Sequence, residues 1–398
     1  MFLNFKNMEL RTIMDIQVKG KKILLRSEFN IPMKDGEITD DTRIKEALPT
    51  IEYLLKKGAK LIVCAHLGRP KGEVKEELRL TAVAKRLEEY LNQKVIKMDS
   101  VIGNEVFQKS KELKEGEIML LENIRFEEGE EKNDPEFSKK LSTLAEIFVS
   151  DAFGAVHRAH SSTVGVAKYL PAYAGFLVEK EVKALSSVLN NPKRPLVMIV
   201  AGAKIETKVA VIDRFLDIAD KVIIGGGIAN TLLSAQGKNV GCSLCEKEEI
   251  DRAKSILNKD KNNKILLPKD VVVAEEVTET AETRIINVNN LKEKDKILDI
   301  GNETISEFVE IIKNAGTVVW NGPVGVYEVS PFAKGTKEIA KAMAETDADT
   351  IIGGGDSVDA VMSFGYKKED FTHISTGGGA SLEFFEGKEL PGIKVLMK

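Results

Sequence analysis

Residues 178–191 read VEKEVKALSSVLNN, and the fold follows from what stands on either side of them. Val178, Val182, Leu185 and Leu189 fall at i, i+4, i+7 and i+11, one stripe of an amphipathic helix. Glu179 and Lys183, four apart, are spaced to pair on its surface. Gly175 precedes the stretch, and Pro192 and Pro195 close it, because proline cannot continue a helix interior. Before it lie three of the four histidines and a set of arginines embedded in strand-end motifs: Arg43, His66, Arg69, Arg125, His157, Arg158 and His160. After it lie all three glycine triplets, at 225–227, 353–355 and 377–379. One half is equipped to hold a small anion with side chains, the other to bring backbone close to a nucleotide. The helix between them reads as a hinge.

A chain of 398 residues is long for a single core and predicts two domains of similar size. Hydrophobic content of 43% and charged content of 30% are ordinary for a globular protein. A net charge of −4 and a pI near 5.9 argue against bulk nucleic-acid binding, so any anionic ligand must be attracted by a local cluster. No apolar run approaches the ~20 residues needed to cross a bilayer. The opening MFLNFKNMELR lacks the apolar core and cleavage site of a signal peptide, and a cytoplasmic location is expected. Cys64, Cys242 and Cys245 form no disulfide framework. The C-x-x-C of Cys242 and Cys245 lacks the second ligand pair a zinc site needs and reads as chance on a surface turn.

Short continuous apolar runs at 23–25, 61–63, 95–96, 118–121 and 147–149 read as strands buried on both faces. Between two of them, residues 81–91 put Val83, Leu87, Tyr90 and Leu91 on one helical face, with Thr81 as N-cap. Runs at 196–200, 222–224, 265–267, 318–320, 351–352 and 373–375 repeat the scheme without a residue-level repeat. Strand-helix alternation of this kind predicts an α/β protein: two Rossmann-like, doubly wound parallel-sheet domains joined by a hinge helix. Residues 127–135, EEGEEKNDP, read as a solvated charged loop, and the last twelve residues as apolar enough to pack.

The unusual residues fall just past the carboxyl ends of these strands, the edge at which open α/β sheets bind ligands. In the first half these include Arg26, Glu28, Asn30, His66, Gly68, Arg69, Asn123, Arg125 and the stretch SDAFGAVHRAHSS; in the second, AGAK, GGG, PKD, NGPVG, GGGDS and TGGGA. Arg26, Arg43, Arg69, Arg125 and Arg158, with His66, His157 and His160, suit a small polyanion, since guanidinium forks match its oxygens. The glycine triplets, set strand then GGG then helix, favour close backbone approach to a base or a phosphate. They form neither a Walker loop nor a dinucleotide fingerprint. Lys204 and Lys208 are expected one above the other on a helix that starts at the strand end. Asp356 has two readings: an N-cap before Val358, Val361 and Met362, or a magnesium ligand, for which one carboxylate suffices alongside phosphates and water.

RSEFNIP, AHLGRP, LLENIRF, DAFGAVHRAHSS, AGAKIETK, VVWNGPVGVYE, IIGGGDS and HISTGGGAS, in this order and spacing, resemble phosphoglycerate kinase from about Ile16 to the C-terminus. The resemblance implies a triose-binding domain over 1–177 with 380–398 packing back on it, a hinge helix over 178–193, and a nucleotide-binding domain over 194–379. It implies reversible phosphoryl transfer between 1,3-bisphosphoglycerate and MgADP, giving 3-phosphoglycerate and MgATP, in a monomer with no nucleic-acid or membrane partner. Glu28, Phe29, Asn30, His66, Leu67, Gly68, Arg69, Arg125 and Arg158 are then expected at the triose, with Arg43 steadying the phosphoryl group in flight. Lys204, Lys208, Gly225, Gly226, Asn321, Pro323, Gly354, Gly355, Asp356 and Ser357 are expected at the nucleotide, Glu328 at its ribose and Asp356 on Mg2+. Arg43, Lys204, Gly354 and Gly378 are expected to be catalytic.

Three positions depart from the family pattern. Glu28 stands where the family usually has Asp, after Ser27 in place of Val, and compensation between the two is expected. Asn302 stands where the family usually has Pro. About seven residues before Met8 read as an extension or an upstream start. A nucleotide-dependent dehydrogenase is the rival reading, but it needs a G-x-G-x-x-G with a later acidic residue, which the sequence lacks. A binding protein that keeps the fold without the activity is the other, with Glu28 as its only hint.

Overall fold

The computed structural model describes residues 9–398; the expected extension before Met8 lies outside them. The chain forms two units. One runs to Lys183 and takes in Glu389–Lys398, and the other covers Ala184–Lys388.

In chain order the first unit holds β1 (Lys22–Ser27), a hairpin of β2 (Met33–Lys34) and β3 (Glu37–Ile38), α1 (Thr42–Lys56), β4 (Lys60–Cys64) and α2 (Thr81–Leu91). Then come β5 (Val95–Lys97), α3 (Asn104–Glu112), β6 (Ile118–Leu120), α4 (Glu128–Glu131), α5 (Pro135–Ser142), β7 (Ile147–Asp151), β8 (Ala172–Ala174) and α6 (Phe176–Asn190). Six of these strands make one parallel sheet in the order β5-β6-β4-β1-β7-β8. Its central strands are buried along nearly their whole length, as continuous apolar runs require. Ile23, Leu25, Leu61 and Val63 pack with Ile44, Ile51 and Leu54 of α1 and Val83 and Leu87 of α2.

The second unit holds β9 (Leu196–Val200), α7 (Val209–Ile218), β10 (Lys221–Ile224), α8 (Gly226–Ala235), α9 (Ile250–Lys259), β11 (Ile265–Leu266), β12 (Asp270–Ala274), β13 (Arg284–Asn287) and β14 (Lys296–Ile300). It continues with α10 (Asn302–Lys313), β15 (Thr317–Asn321), α11 (Lys334–Glu345), β16 (Asp349–Gly353), α12 (Gly355–Ser363), β17 (His373–Ile374) and α13 (Gly379–Phe385), before α14 (Pro391–Lys394) joins the first unit. Its parallel sheet runs β11-β10-β9-β15-β16-β17, which is 3-2-1-4-5-6 in the order its strands occur, the doubly wound arrangement of nucleotide-binding sheets. Val197, Ile199, Val318 and Trp320 pack with Phe308 and Ile312 of α10 and Ile339 and Met343 of α11.

Several expectations change in detail. The sequence reading missed β8 and an antiparallel sheet ordered β13-β12-β14. Its P-K-D stretch is no ligand loop, because Asp270 opens β12 and accepts the Glu303 and Thr304 amides at 3.1 and 2.8 Å, starting α10. Thr81 is the first helical residue of α2 and caps nothing. Residues 127–135 are only partly the solvated loop expected: Glu128, Glu131 and Lys132 are exposed, but Glu130 is fully buried, and Asp134 caps α5 by accepting the Phe137 amide at 2.7 Å. The return segment is shorter than 380–398, since α13 stays with the second unit, where Phe385 meets Phe215 edge-on at 5.8 Å. Within the first unit, Leu390, Ile393 and Leu396 are buried, and the Arg11 amide donates to the Leu396 carbonyl at 2.8 Å.

Helix α6 begins two residues before the predicted stretch and ends one before its close. Val178, Val182, Leu185 and Val188 are buried, and Leu189, in the last turn of the helix, is only partly so. Among the described residues Glu179 and Lys183 do not pair with each other. The helix starts where it does because Asp151, the last residue of β7, accepts the Leu177 and Val178 amides at 2.9 and 3.3 Å. Gly175 is required there: a Cβ would lie 2.3 Å from the Asp151 carboxyl carbon.

Candidate functional site

The first unit gathers its polar residues at the carboxyl ends of β1 and β4 and in the segments after β6 and β7. Glu28 follows β1 and is buried, with Oε1 3.5 Å from Arg43 Nη1 and Oε2 without a hydrogen-bond partner. Arg43, on the first turn of α1, also donates to the Asn30 carbonyl. The Asn30 side chain accepts the Gly68 amide at 2.9 Å, which ties the two strand ends together. Arg125 is buried and donates to the Gly68 carbonyl at 2.9 Å. Arg69 and Arg158 are exposed; among the described residues Arg69 has no side-chain partner, and Arg158 donates only to His157, at 3.1 Å. Phe29 and Leu67 are in the core, so a ligand can reach only their backbone.

This cluster differs from the expected one in two ways. Arg26 is buried and turns all three guanidinium nitrogens to the protein's own acceptors, donating to Ser162 Oγ, the Ser27 carbonyl and His66 Nδ1 at 2.9, 2.5 and 2.9 Å. The histidines carry no charge at neutral pH. Burial, with Arg26, Arg125 and Arg43 nearby, holds His66 well below its usual range, and burial beside arginines brings His157 and His160 down to about 4. With the histidines neutral and Arg26 turned inward, Arg43, Arg69, Arg125 and Arg158 are the guanidiniums of this cluster left to face an anion. Arg125 is itself pushed down by burial, opposed by Glu131, whose Oε1 lies 3.2 Å from its Nε, and lowered further by Arg26 and Arg158.

Asn123 is a residue whose role the sequence did not reveal. Its side chain accepts the Leu67 and Arg125 amides at 3.3 and 3.2 Å and donates to the Leu67 and Leu78 carbonyls at 2.8 and 2.9 Å. It holds the His66–Gly68 backbone from both sides. The only available signal was a buried polar pair, Glu122 and Asn123, directly after an apolar strand. Glu122 completes the frame by accepting from Arg79 at 2.9 Å and Lys97 at 2.8 Å.

In the second unit, Lys204, Lys208, Asn321, Asp356, Ser357 and Gly378 line a cavity of about 380 Å³, together with Gly354 and Gly355. A second, of about 400 Å³, is lined by Gly226, Asn230, Leu244, Pro323, Val324 and Glu328. Gly202, Ala203 and Asp356 border both. Each glycine triplet sits between a strand and a helix. The first turn of α12 opens on the smaller cavity, where unpaired amides and the helix dipole favour an anion. Gly354 takes φ 95°, a conformation costly for any side chain. Gly225 borders neither cavity, because it packs on Val324. Another cavity, of about 780 Å³, lies beside α9 and Asn287–Asn289 and includes none of the expected site residues.

The two lysines are not stacked on one helix. Glu246 accepts the Ile205 and Glu206 amides, the chain turns through 202–208, and α7 starts only at Val209. Lys208 instead donates to Asn321, whose own amide donates to the Gly353 carbonyl at 2.9 Å. Burial pushes the Lys208 pKa down, partly opposed by Asp356 and Glu386. Lys204 is exposed, and its side chain has no partner among the described residues. Asp356 is not a cap: Gly354 holds that position, and the exposed Asp356 carboxylate accepts no hydrogen bond from the described residues. No cluster of three acidic, His or Cys ligands exists among the described residues. A lone carboxylate facing a phosphate-sized cavity fits Mg2+, which takes most of its ligands from phosphate and water.

The family model for phosphoglycerate kinase matches residues 13–388. Among solved structures, phosphoglycerate kinase from Coxiella burnetii is similar at 41% identity and a TM-score of 0.90, covering 98% of this chain and 99% of that one. Phosphoglycerate kinase from Pyrococcus horikoshii OT3 is similar at 35% identity and a TM-score of 0.84, covering 97% and 98%.

Proposed function

Since the chain belongs to the phosphoglycerate kinase family and is a phosphotransferase with a carboxyl acceptor, we propose how its residues divide the glycolytic transfer between 1,3-bisphosphoglycerate and ADP. Asn30, His66, Arg69, Arg125 and Arg158, with the backbone of Glu28–Phe29 and Leu67–Gly68, hold the triose. Lys204, Lys208, Asn321, Gly354, Gly355 and Ser357 receive the nucleotide phosphates, and Gly226, Pro323 and Glu328 the nucleoside. Arg43, Lys204, Gly354 and Gly378 meet the phosphoryl group in transit. Asp356 would hold Mg2+, which when bound neutralises phosphate charge.

One observation carries this division: two lysines, an exposed carboxylate and the N-terminus of α12 border a single cavity in the doubly wound unit. The chemistry asks for little more. In the direction of ATP consumption the acceptor carboxylate is already ionised at neutral pH, so no general base is needed. What remains is in-line alignment, positive charge and exclusion of water, which protects the acyl phosphate from hydrolysis. We further propose α6, where the chain passes from one unit to the next, as the hinge, in a monomeric cytoplasmic enzyme. Among the described residues no helix is long and apolar enough to cross a membrane.

A coupled assay with 3-phosphoglycerate and MgATP tests the reading. Turnover that depends on both substrates and on Mg2+ is expected; its absence overturns the assignment. Scattering should give a smaller radius of gyration with both substrates than with either alone, and an unchanged value removes the hinge role.

A further inference from the structure

Four buried side chains from distant parts of the first unit form a continuous hydrogen-bonded chain. Glu130, on α4, accepts the Ser162 hydroxyl at 2.6 Å on Oε1 and the Ser162 amide at 2.9 Å on Oε2. Ser162 Oγ in turn accepts from Arg26 Nε at 2.9 Å, and Arg26 Nη2 lies 2.9 Å from His66 Nδ1. Glu130 and Ser162 are fully buried, and Arg26 and His66 are almost so.

The direction of each bond follows from elementary chemistry. A guanidinium has only donors, so both Ser162 Oγ and His66 Nδ1 must accept from it. With its lone pair engaged, the serine hydroxyl sends its own hydrogen to Glu130. With Nδ1 accepting, the single proton of a neutral imidazole must sit on Nε2. Protonating Nδ1 as well would set two donors against each other. Glu130 also supplies the charge that balances Arg26 across the serine, which an isolated buried guanidinium would lack.

We propose that Glu130, Ser162 and Arg26 are positioning residues that fix the tautomer and ring orientation of His66, so that Nε2–H is the donor the site presents to the triose. This rests on the reading above that His66 meets the triose. It also gives the buried acid of the EEGEE stretch, and the arginine that touches no ligand, a part in the reaction. The competing account is that the chain only neutralises a buried arginine. In that case His66 would be free to change tautomer.

Long-range ¹H–¹⁵N correlation spectra of ¹⁵N-histidine-labelled, ligand-free protein separate the two accounts, with only four histidines to assign. His66 should show an unprotonated Nδ1 and a protonated Nε2, unchanged between about pH 8 and pH 6. In Glu130→Gln and Ser162→Ala, the His66 Nδ1 resonance should move toward a tautomer mixture. KM for 3-phosphoglycerate should rise about tenfold, with KM for ATP unchanged. Ser162→Thr, which keeps the hydroxyl, should restore the wild-type ring spectrum. A wild-type His66 protonated on Nδ1 overturns the proposal even if no variant folds, and leaves the kinase assignment standing. So does a His66 spectrum unmoved by either variant. The predicted tautomer in a protein that does not turn over 3-phosphoglycerate supports the relay and removes the substrate reading instead.

Discussion

Ser27 and Asp151 stand opposite each other in the parallel register of β1 and β7, and each buries an oxygen with no hydrogen-bond partner. The other oxygen of Asp151 starts α6. This pairing puts a poorly solvated carboxylate under the helix that leads from one unit to the other, beside a buried serine.

Burial pushes the Asp151 pKa up to about 7. A folded-state value above the unfolded one means the native state binds the extra proton. The associated stability is full below about pH 4 and is lost as pH rises through 7. Asp151→Asn keeps an oxygen for the Leu177 and Val178 amides and has no such titration. Relative to wild type, it should therefore gain on the order of 1–3 kcal/mol between about pH 5 and pH 8. Urea unfolding at the two pH values measures this, and a pH-independent difference rejects it. Asp299, also pushed up to about 7 by burial, remains in both proteins and cancels in the comparison.

Arg43 holds Glu28 and the Asn30 carbonyl with one nitrogen, and Lys204 has no side-chain partner among the described residues, so both can turn toward a moving phosphoryl group. Arg43→Ala and Lys204→Ala should each lower kcat by ~10²–10³ with little change in either KM. Steady-state kinetics decide it: near-normal turnover in Arg43→Ala removes that residue from the catalytic set.

Glu28 reaches Arg43 only at 3.5 Å, and Glu28→Asp draws the carboxylate back by about 1.3 Å. Valine at position 27 would crowd the buried Asp151 oxygen and push the strand end outward. Each single change should raise KM for 3-phosphoglycerate, and the double change should recover much of the loss, as expected of neighbours. Tighter triose binding by Glu28→Asp alone would show that Glu28 is merely tolerated.

Asp356 caps nothing, so Asp356→Asn should leave thermal stability within about 0.5 kcal/mol of wild type. The Mg2+ concentration for half-maximal activity should rise at least about tenfold. A magnesium titration that superimposes on wild type would assign the metal to other ligands.

Much of this was legible in the chain alone. Continuous apolar runs such as 61–63 and 196–200 can only be strands covered on both faces, which implies parallel sheets. Polar residues placed just past them point to the ligand edge. Those signals are local, with periods of two to four residues. The partners of the site residues are not local. Arg26 meets Ser162 across 136 residues, Lys208 meets Asn321 across 113, and Asn123 holds Leu67 across 56. No periodicity announces such pairs, so Arg26 looked like an anion ligand and Glu130 like a surface acid. The same holds for Asp356, whose cap-like sequence was settled only by the backbone at Gly354. The sequence by itself determined the strands, the ligand edge and the family. Burial and long-range hydrogen bonding, which exist only once the chain has folded, decided which charged groups remain free to meet a substrate.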